Sequence, residues 1–375
     1  MKIGYLINYP IGKEDGVIKK VKTQISEWEK LGHDVKVYAL FSNEKNPSIN
    51  AKQYPYNNVF SRKFALCNLL MLDLSDFDPD IVYFRYTYWN RTLSKIQKIY
   101  TNIVEINTDD IAETKSNFMY KKNLYNFVRM VLNRILRIPV LKKANAIITV
   151  TFELANNNFI KKYSVPIMTI PNSYNLNIDL ARKEISKLSN KIELFFIGSP
   201  DQVWHGIDII ENIAKKIPEF YFHIIGYNGM THDNVYYHGY LQEKEYIHIL
   251  EKCCVCIGTL ALFKKNMNEA CPLKVREYLA RGYPIIIGYK DTAFFNKKLP
   301  EWVLEIDLKN NTLNELEIID FVKNNKNRVI EKQEVEPYIS SSVIEKRRVK
   351  FFEEVVQENI DRKKNDKKER TAKLS

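Results

Sequence analysis

The residues with the clearest chemical potential lie in the stretch 268–284, which reads NEACPLKVREYLARGYP. Pro272 suits the first position of a helix, because its missing N–H is no loss there. Cys271 precedes it and is a poor N-cap, so the amides of Leu273 and Lys274 lack an obvious side-chain acceptor. An uncapped helix N-terminus with a lysine beside it attracts a phosphate group.

Two carboxylates flank this predicted phosphate site. Glu269 precedes the helix, and Glu277 lies about one turn inside it. Together with the free amides, they suit a ligand that carries a diphosphate and several hydroxyl groups, which describes a sugar nucleotide. In the alternative interpretation, both glutamates lie on a solvated face and Pro272 starts an ordinary helix.

The same stretch resembles family 4 of the retaining glycosyltransferases, enzymes with the GT-B fold. Glu269 and Glu277 are separated by seven residues, the E-x7-E arrangement of that family, and the Pro-Leu-Lys at 272–274 is also similar. So is the Glu-Tyr-Leu-Ala-x-Gly-x-Pro-Ile that begins at Glu277. The resemblance is strong over residues 192–290 and loose over residues 1–171.

This resemblance implies a role for each residue. Glu277 would accept hydrogen bonds from the ribose hydroxyls, and Glu269 would hold the donor sugar near its anomeric centre. Behind Pro272, the amides of Leu273 and Lys274 and the Lys274 ammonium would stabilise the leaving diphosphate, an electrostatic effect that often dominates catalysis. It further implies retention of the anomeric configuration without a protein base. No Asp-x-Asp metal motif has suitable neighbours, so we expect no metal and no cofactor besides the donor.

A second phosphate contact is predicted where a strand ends at Gly198. Gly198 and Gly206 allow close backbone approach, and His205 precedes a helix N-terminus. The family usually has an arginine after the first of these glycines and a lysine before the second. Here Ser199 and His205 take those places, so we expect Lys274, His205 and backbone amides to carry the phosphate charge. The alternatives are a surface histidine or a differently placed donor.

Further donor contacts are predicted in loops. The segments 224–227 and 238–241 resemble the family segments that hold the nucleotide base through backbone contacts; ordinary strand-and-turn packing is the alternative. The candidates are Gly226, Tyr240, Leu241 and, in the loop after the first strand, Gly16.

Two polar residues of the first half are predicted to complete the site. Asn107 and Asp109 end a strand in the segment INTDD. They are candidates for acceptor contact or for stabilising an oxocarbenium-like sugar. The alternative is a strand-end turn with hydrogen bonds to its own backbone.

The predicted architecture is α/β, a GT-B fold of two Rossmann-like parallel-sheet domains facing a cleft, because apolar strands alternate with helical lengths in both halves. We expect an N-terminal acceptor-side domain at 1–171, with a helix at about 340–360 packing back on it, and a donor domain at 191–335. A basic tail follows at 361–375. The five cysteines lack framework spacing, which favours reduced core thiols and a cytoplasmic location.

Positive charge is concentrated in two segments. The net charge is +12, of which residues 118–143, without any acid, carry seven basic side chains and the tail a net +4. Residues 121–138 are helical by period, Pro139 is predicted to stop the run, and the apolar and basic side chains fall in opposite arcs. Either the apolar arc packs on the sheet and the basic arc is merely solvated, or segment 121–143 and the tail bind an anionic membrane surface at its inner face.

The sequence therefore predicts a retaining, metal-independent glycosyltransferase. It would move a sugar from a UDP- or GDP-linked donor to a glycan or lipid-linked glycan, in synthesis of surface polysaccharide or glycoconjugate. The alternatives are an epimerase or phosphorylase on the same fold, or a non-catalytic subunit that binds a sugar nucleotide. No nucleic-acid-binding motif is present, so we expect no nucleic-acid partner.

Overall fold

The computed structural model describes residues 1–12, 14–56, 58–177, 191–309 and 313–372, without the side chains of residues 59 and 366–372. The chain divides into two compact units. Unit 1 comprises Met1–Pro171 and Ser341–Ser375, and unit 2 comprises Asn172–Ser340. Most of the predicted linker near 172–190 and the last three residues of the predicted basic tail lie outside the described residues.

Unit 1 contains a seven-stranded parallel sheet in the order β3-β2-β1-β4-β5-β6-β7. Its strands are β1 (Lys2–Ile7), β2 (Asp34–Leu40), β3 (Lys52–Tyr54), β4 (Ile81–Arg85), β5 (Asn102–Ile106), β6 (Ala146–Thr149) and β7 (Ile167–Thr169). Its helices up to β7 are α1 (Gly16–Lys30), α2 (Val59–Phe64), α3 (Asn68–Phe77), α4 (Arg91–Ile99), α5 (Asp110–Tyr120), α6 (Leu124–Lys142), α7 (Phe152–Asn156) and α8 (Asn158–Lys161).

Unit 2 contains a six-stranded parallel sheet in the order β10-β9-β8-β11-β13-β15 and a separate parallel pair, β12-β14. The strands are β8 (Ile192–Ile197), β9 (Phe220–Ile225), β10 (Val235–Tyr237), β11 (Val255–Ile257), β12 (Glu269–Ala270), β13 (Ile285–Ile287), β14 (Lys290–Asp291) and β15 (Val303–Glu305). The helices are α9 (Ile207–Lys216), α10 (Glu243–Leu250), α11 (Leu273–Ala280), α12 (Glu315–Asn325) and α13 (Lys332–Ile339). In such sheets, ligands bind beyond the carboxyl ends of the strands where the strand order reverses, here between β8 and β11.

The last helix, α14 (Ser341–Ala372), belongs to unit 1. Its Phe352 packs edge-on against Trp28 of α1, with ring centroids 5.3 Å apart. Its Arg348 is fully buried, and the guanidinium pairs with Glu345 at 2.8 Å and with Glu105 of β5 at 3.1 Å. Because a buried charge is tolerated only when paired, these contacts fix α14 against the sheet of unit 1.

Helix α6 differs from its prediction in length and orientation. It begins after the capping side chain of Asn123 and continues through Pro139 to Lys142. Burial of Val140 and Leu141 in the core stabilises this last turn, which offsets the backbone hydrogen bond that proline removes. The apolar arc does not pack on the sheet, since Leu124 is 77% exposed and Ile135 57%. The alternative in which the apolar arc packs on the sheet is therefore wrong.

Within the described residues, no helix combines the length and the apolar character needed to cross a membrane.

Candidate functional site

Helix α11 of unit 2 begins without a side-chain cap. Pro272 is its N-cap residue, with an extended backbone (φ −72°, ψ 140°), and Leu273 is the first helical residue. Pro272 therefore lies one residue earlier than predicted, because its ψ angle is not helical. Since proline has no side-chain acceptor, the first amides of α11 remain available to an anion.

Lys274 brings a cation to the same helix end. Its ammonium donates to the carbonyl of Ile197 at 3.0 Å, at the carboxyl end of β8, and lies 4.0 Å from the ring centroid of Phe196. Burial lowers the pKa of Lys274 to about 7. No ion pair of this lysine is seen in the part of the chain that the structure describes. A half-buried ammonium facing a ring and one carbonyl lacks the anion that usually accompanies a buried charge.

The rest of α11 is held rigidly. The Tyr278 hydroxyl accepts a hydrogen bond from the Ile197 amide at 3.0 Å, so β8 and α11 are joined at two points. Arg276, fully buried, pairs with the buried Asp291 of β14. Because β14 pairs with β12, this ion pair fixes the strand that carries Glu269 relative to the helix that carries Lys274.

The two predicted carboxylates lie on these two elements. Glu269 is half-buried in β12, and Glu277 is half-buried in the second turn of α11. The Glu277 carboxylate accepts from the Tyr246 hydroxyl at 3.0 Å and from Arg281 Nε at 3.0 Å. Arg281 also pairs with Glu243, so the orientation of Glu277 is set before any ligand arrives.

His205 lies directly behind Gly198. A Cβ atom on Gly198 would be 2.6 Å from His205 Nδ1, which explains why only glycine fits there. His205 Nδ1 is 2.7 Å from the Tyr227 hydroxyl. Burial, with smaller effects of the charges on Lys274 and Lys265, lowers the pKa of His205 to about 2. The imidazole is therefore neutral near pH 7 and offers hydrogen bonds, not the charge expected of it.

Gly226 allows the loop after β9 to approach Gly198 closely. Its φ angle is +90°, and a Cβ atom would lie 1.7 Å from the carbonyl oxygen of Gly198. The Gly226 amide donates to the carbonyl of Gly239 at 2.7 Å, which places the loop with Tyr240 and Leu241 next to it. Tyr240 is exposed and Leu241 half-buried, so both side chains are accessible to a ligand.

Lys265 is a candidate that the sequence reasoning missed. It is only 7% exposed, and its ammonium lies 4.4 Å from the ring centroid of Trp204, next to His205. The signal in the sequence was a lysine pair directly after an apolar run, 260–263. Lys264 is the surface member of that pair, bound to Asp208 at 2.7 Å. Lys265 is therefore a candidate for a second cation in this region, where Ser199 and the neutral His205 bring none.

The candidates of unit 1 have structural partners. Asn107 accepts from the buried Lys20 ammonium at 2.9 Å and donates to Glu105 at 3.2 Å. Asp109 is the N-cap of α5 and also accepts from Asn157 at 3.0 Å. Gly16 is the exposed first residue of α1. Both oxygens of Asp109 are thus engaged by the protein, one by the backbone of its own helix start and one by a distant side chain.

One group of side chains in the described residues has the composition of a metal site. Glu193, His223 and Cys253 offer ligand atoms that lie within 4.8 Å of one another. Burial lowers the pKa of His223 to about 4, so its imidazole is neutral as a ligand must be. Glu193 is near the amino end of β8, whereas Gly198 follows its carboxyl end. The group is therefore separate from the site around Lys274.

Comparisons with known proteins give the fold class. No family model matches the chain, and no curated protein matches it significantly. Among solved structures, a sucrose-phosphate synthase from Thermosynechococcus elongatus is similar, with a TM-score of 0.65, 11% identity and coverage of 94% of this chain and 98% of that one. A glycosyltransferase from Rickettsia africae has a TM-score of 0.63, 13% identity and coverage of 95% and 98%.

An α-glucosyltransferase in complex with UDP-glucose and DNA containing an abasic site is similar at the same level. Its TM-score is 0.63, its identity 13% and the coverage 94% of this chain and 99% of that one. Two parallel-sheet α/β units that match glycosyltransferases over nearly their whole length define the GT-B fold, as predicted.

Proposed function

We propose that this protein is a glycosyltransferase whose unit 2 binds a UDP- or GDP-linked sugar and whose unit 1 receives the acceptor. The observation that carries the proposal is Lys274. A lysine whose burial lowers its pKa to about 7, at an uncapped helix N-terminus, is costly to a protein unless an anion binds there. The UDP or UDP-glucose bound in similar structures supports a diphosphate as that anion.

The other contacts follow from the chemistry of such a donor. The Lys274 ammonium, with Lys265 nearby and the amides of Leu273 and Lys274, would hold the diphosphate. Glu277, oriented by Tyr246 and Arg281, would accept hydrogen bonds from the ribose hydroxyls. Glu269 would contact the transferred sugar.

We further propose the retaining, metal-independent reaction of family 4. Charge that builds on the leaving diphosphate is stabilised by a fixed ammonium and by amides, which is the contribution a metal makes in other enzymes. The leaving phosphate then takes the acceptor proton on the same face of the sugar, so the protein supplies no base.

For the acceptor we propose a glycan or lipid-linked glycan of surface polysaccharide or glycoconjugate synthesis. Attachment to an anionic membrane through the basic side chains of 121–143 and the tail would bring the enzyme to a lipid-linked acceptor. DNA, which is bound in the structure of one similar glucosyltransferase, is the competing acceptor. An epimerase or phosphorylase would also use this fold, and a binding subunit would keep the donor site without turnover.

A donor screen followed by product analysis tests these proposals. We expect one of a panel of UDP- and GDP-sugars to raise the melting temperature. With that donor, NMR of the product should show an unchanged anomeric configuration in reactions containing a chelator. Donor turnover without acceptor would indicate an epimerase, and binding without any turnover would indicate a subunit. The absence of a thermal shift with every donor would refute the donor site itself.

A further inference from the structure

Helices α5 and α6 of unit 1 form a hairpin, joined by residues 121–123, with an apolar outer face. On α6 the exposed apolar side chains cover an arc of about 160° at 100° per residue. These side chains, here called the outer face, are Leu124, Tyr125, Phe127, Val128, Leu132, Ile135 and Ile138. Met119 and Tyr120, at the end of α5, are exposed beside it. A contiguous apolar face on one hairpin marks an interaction surface.

The opposite, buried arc of α6 carries two polar side chains, while the outer face keeps its apolar side chains exposed. Asn133 is fully buried and donates to the carbonyl of Asp110 at 2.9 Å, and it accepts from the Tyr86 hydroxyl at 3.1 Å. Arg137, also buried, pairs with Asp110 and lies 5.0 Å from the ring centroid of Tyr86. These contacts fix the rotation of α6, because turning the outer face inwards would break them and leave Tyr86 and Asp110 without these partners.

Basic side chains border the outer face. Arg129 and Arg134 are exposed on its two margins, and Lys121 and Lys122 lie at the tip of the hairpin. No acidic residue occurs between 118 and 143. At the Arg134 margin, a surface hollow is lined by Ile138, Phe159 and Lys162. This margin therefore combines cations that suit a phosphate with an apolar wall that suits a hydrocarbon chain.

We propose that the outer face of the α5–α6 hairpin inserts among the acyl chains of an anionic membrane leaflet while its basic margins bind the lipid phosphates. This inference rests on the proposed membrane attachment and deepens it, since the contact becomes partly hydrophobic instead of purely electrostatic. A second copy of the chain is the disfavoured occupant. In a two-fold symmetric contact the same face meets itself, so uniformly basic margins would lie against each other.

Vesicle sedimentation of the full-length chain tests the insertion. The vesicles are of phosphatidylcholine with about 30% phosphatidylglycerol, and binding is measured at low salt and at about 0.5 M NaCl. Salt screens the basic margins but not an inserted apolar face, so we expect the wild type to keep measurable binding at high salt. The double variant L124S/I135S should lose that salt-resistant fraction at least about tenfold. The matched control is L316S, which changes a 70% exposed leucine of α12.

A depth measurement separates insertion from surface contact. The variant I135W should lose fluorescence with lipids brominated on their acyl chains, whereas L316W should not. Equal quenching of the two variants, or complete loss of wild-type binding at high salt, would overturn the proposal. So would a wild-type dimer in analytical ultracentrifugation that L124S/I135S converts to a monomer, because the outer face would then be a self-interface. The donor-induced thermal shift of L124S/I135S should match the wild type, so a failed donor site is recognised independently.

Discussion

Replacing Lys274 by methionine should stabilise the free protein and weaken donor binding. The two effects have one cause. In the free protein the ammonium is held in a half-buried position where its pKa falls from 10.5 to about 7. Methionine fills similar space and carries no charge to desolvate, but it cannot pair with a diphosphate.

The change in stability follows from that pKa. At about 1.4 kcal/mol per pKa unit, burying the ammonium costs roughly 4 to 5 kcal/mol at and below pH 7. Methionine forfeits a cation–π contact with Phe196 and one hydrogen bond, together about 2 to 3 kcal/mol. The free energy of unfolding of the methionine variant should therefore be about 1 to 3 kcal/mol higher than that of the wild type. Each kcal/mol raises the melting temperature by about 2 to 4 °C.

The same pKa shift determines how the stability of the wild type changes with pH. Because the folded pKa lies below the unfolded value, the unfolded wild type binds more protons between pH 7 and pH 10.5, and its stability rises with pH through that window. The methionine variant lacks this rise. Its advantage over the wild type is therefore greatest at and below pH 7 and vanishes between about pH 8 and pH 9.

Donor binding should change in the opposite direction. Loss of one charge-assisted contact of about 1.5 to 3 kcal/mol weakens the donor about 10- to 150-fold. A diphosphate also raises the pKa of the ammonium, so the wild type should take up about half a proton on binding at pH 7. Calorimetry in buffers of different ionisation enthalpy measures that uptake. A destabilised K274M variant with unchanged donor affinity and unchanged proton uptake would refute this account of Lys274.

The remaining predictions concern catalysis and loop packing. The E269Q variant should lose about 10²- to 10³-fold in turnover with donor binding partly retained, measured by initial rates and thermal shift, whereas E336Q on the surface should match the wild type. An E269Q variant of wild-type turnover would remove Glu269 from catalysis. The G226A variant should lower the melting temperature much more than G32A. Both glycines have positive φ angles, but only at Gly226 would the new methyl group overlap a backbone atom, the carbonyl oxygen of Gly198. Equal losses in thermal denaturation would contradict the close contact.

Features that depend on neighbours in sequence were predictable. The apolar strands, the helix after Pro272 and the missing cap all follow from local composition, and the parallel sheets follow from the alternation of strands and helices. Lys274 was predictable as well, because it is two residues from the helix start. Its burial was not, since Phe196 and the carbonyl of Ile197 come from β8, some 77 residues away.

The support of the site depends on tertiary contacts that no local pattern reports. Tyr246 reaches Glu277 across 31 residues, and Tyr227 reaches His205 across 22. Lys265 lay in a segment without a recognisable motif and became a candidate only when the fold placed it over Trp204. Most candidate ligand-binding groups were thus predictable from the sequence, while the residues that orient them required the structure.

Helix α6 shows the limit of periodicity most clearly. The 3.6-residue period defines an apolar arc and a polar arc, but it does not show which of the two arcs faces the core. The usual preference for a buried apolar arc is overcome here by Asn133 and Arg137, whose partners Tyr86 and Asp110 are fixed by β4 and α5. Those buried polar contacts would be lost if the helix turned over. An exposed apolar face lowers the solubility of a protein, and insertion of this face among lipid acyl chains would explain why it is exposed. The salt-resistant fraction of vesicle binding is therefore the decisive measurement.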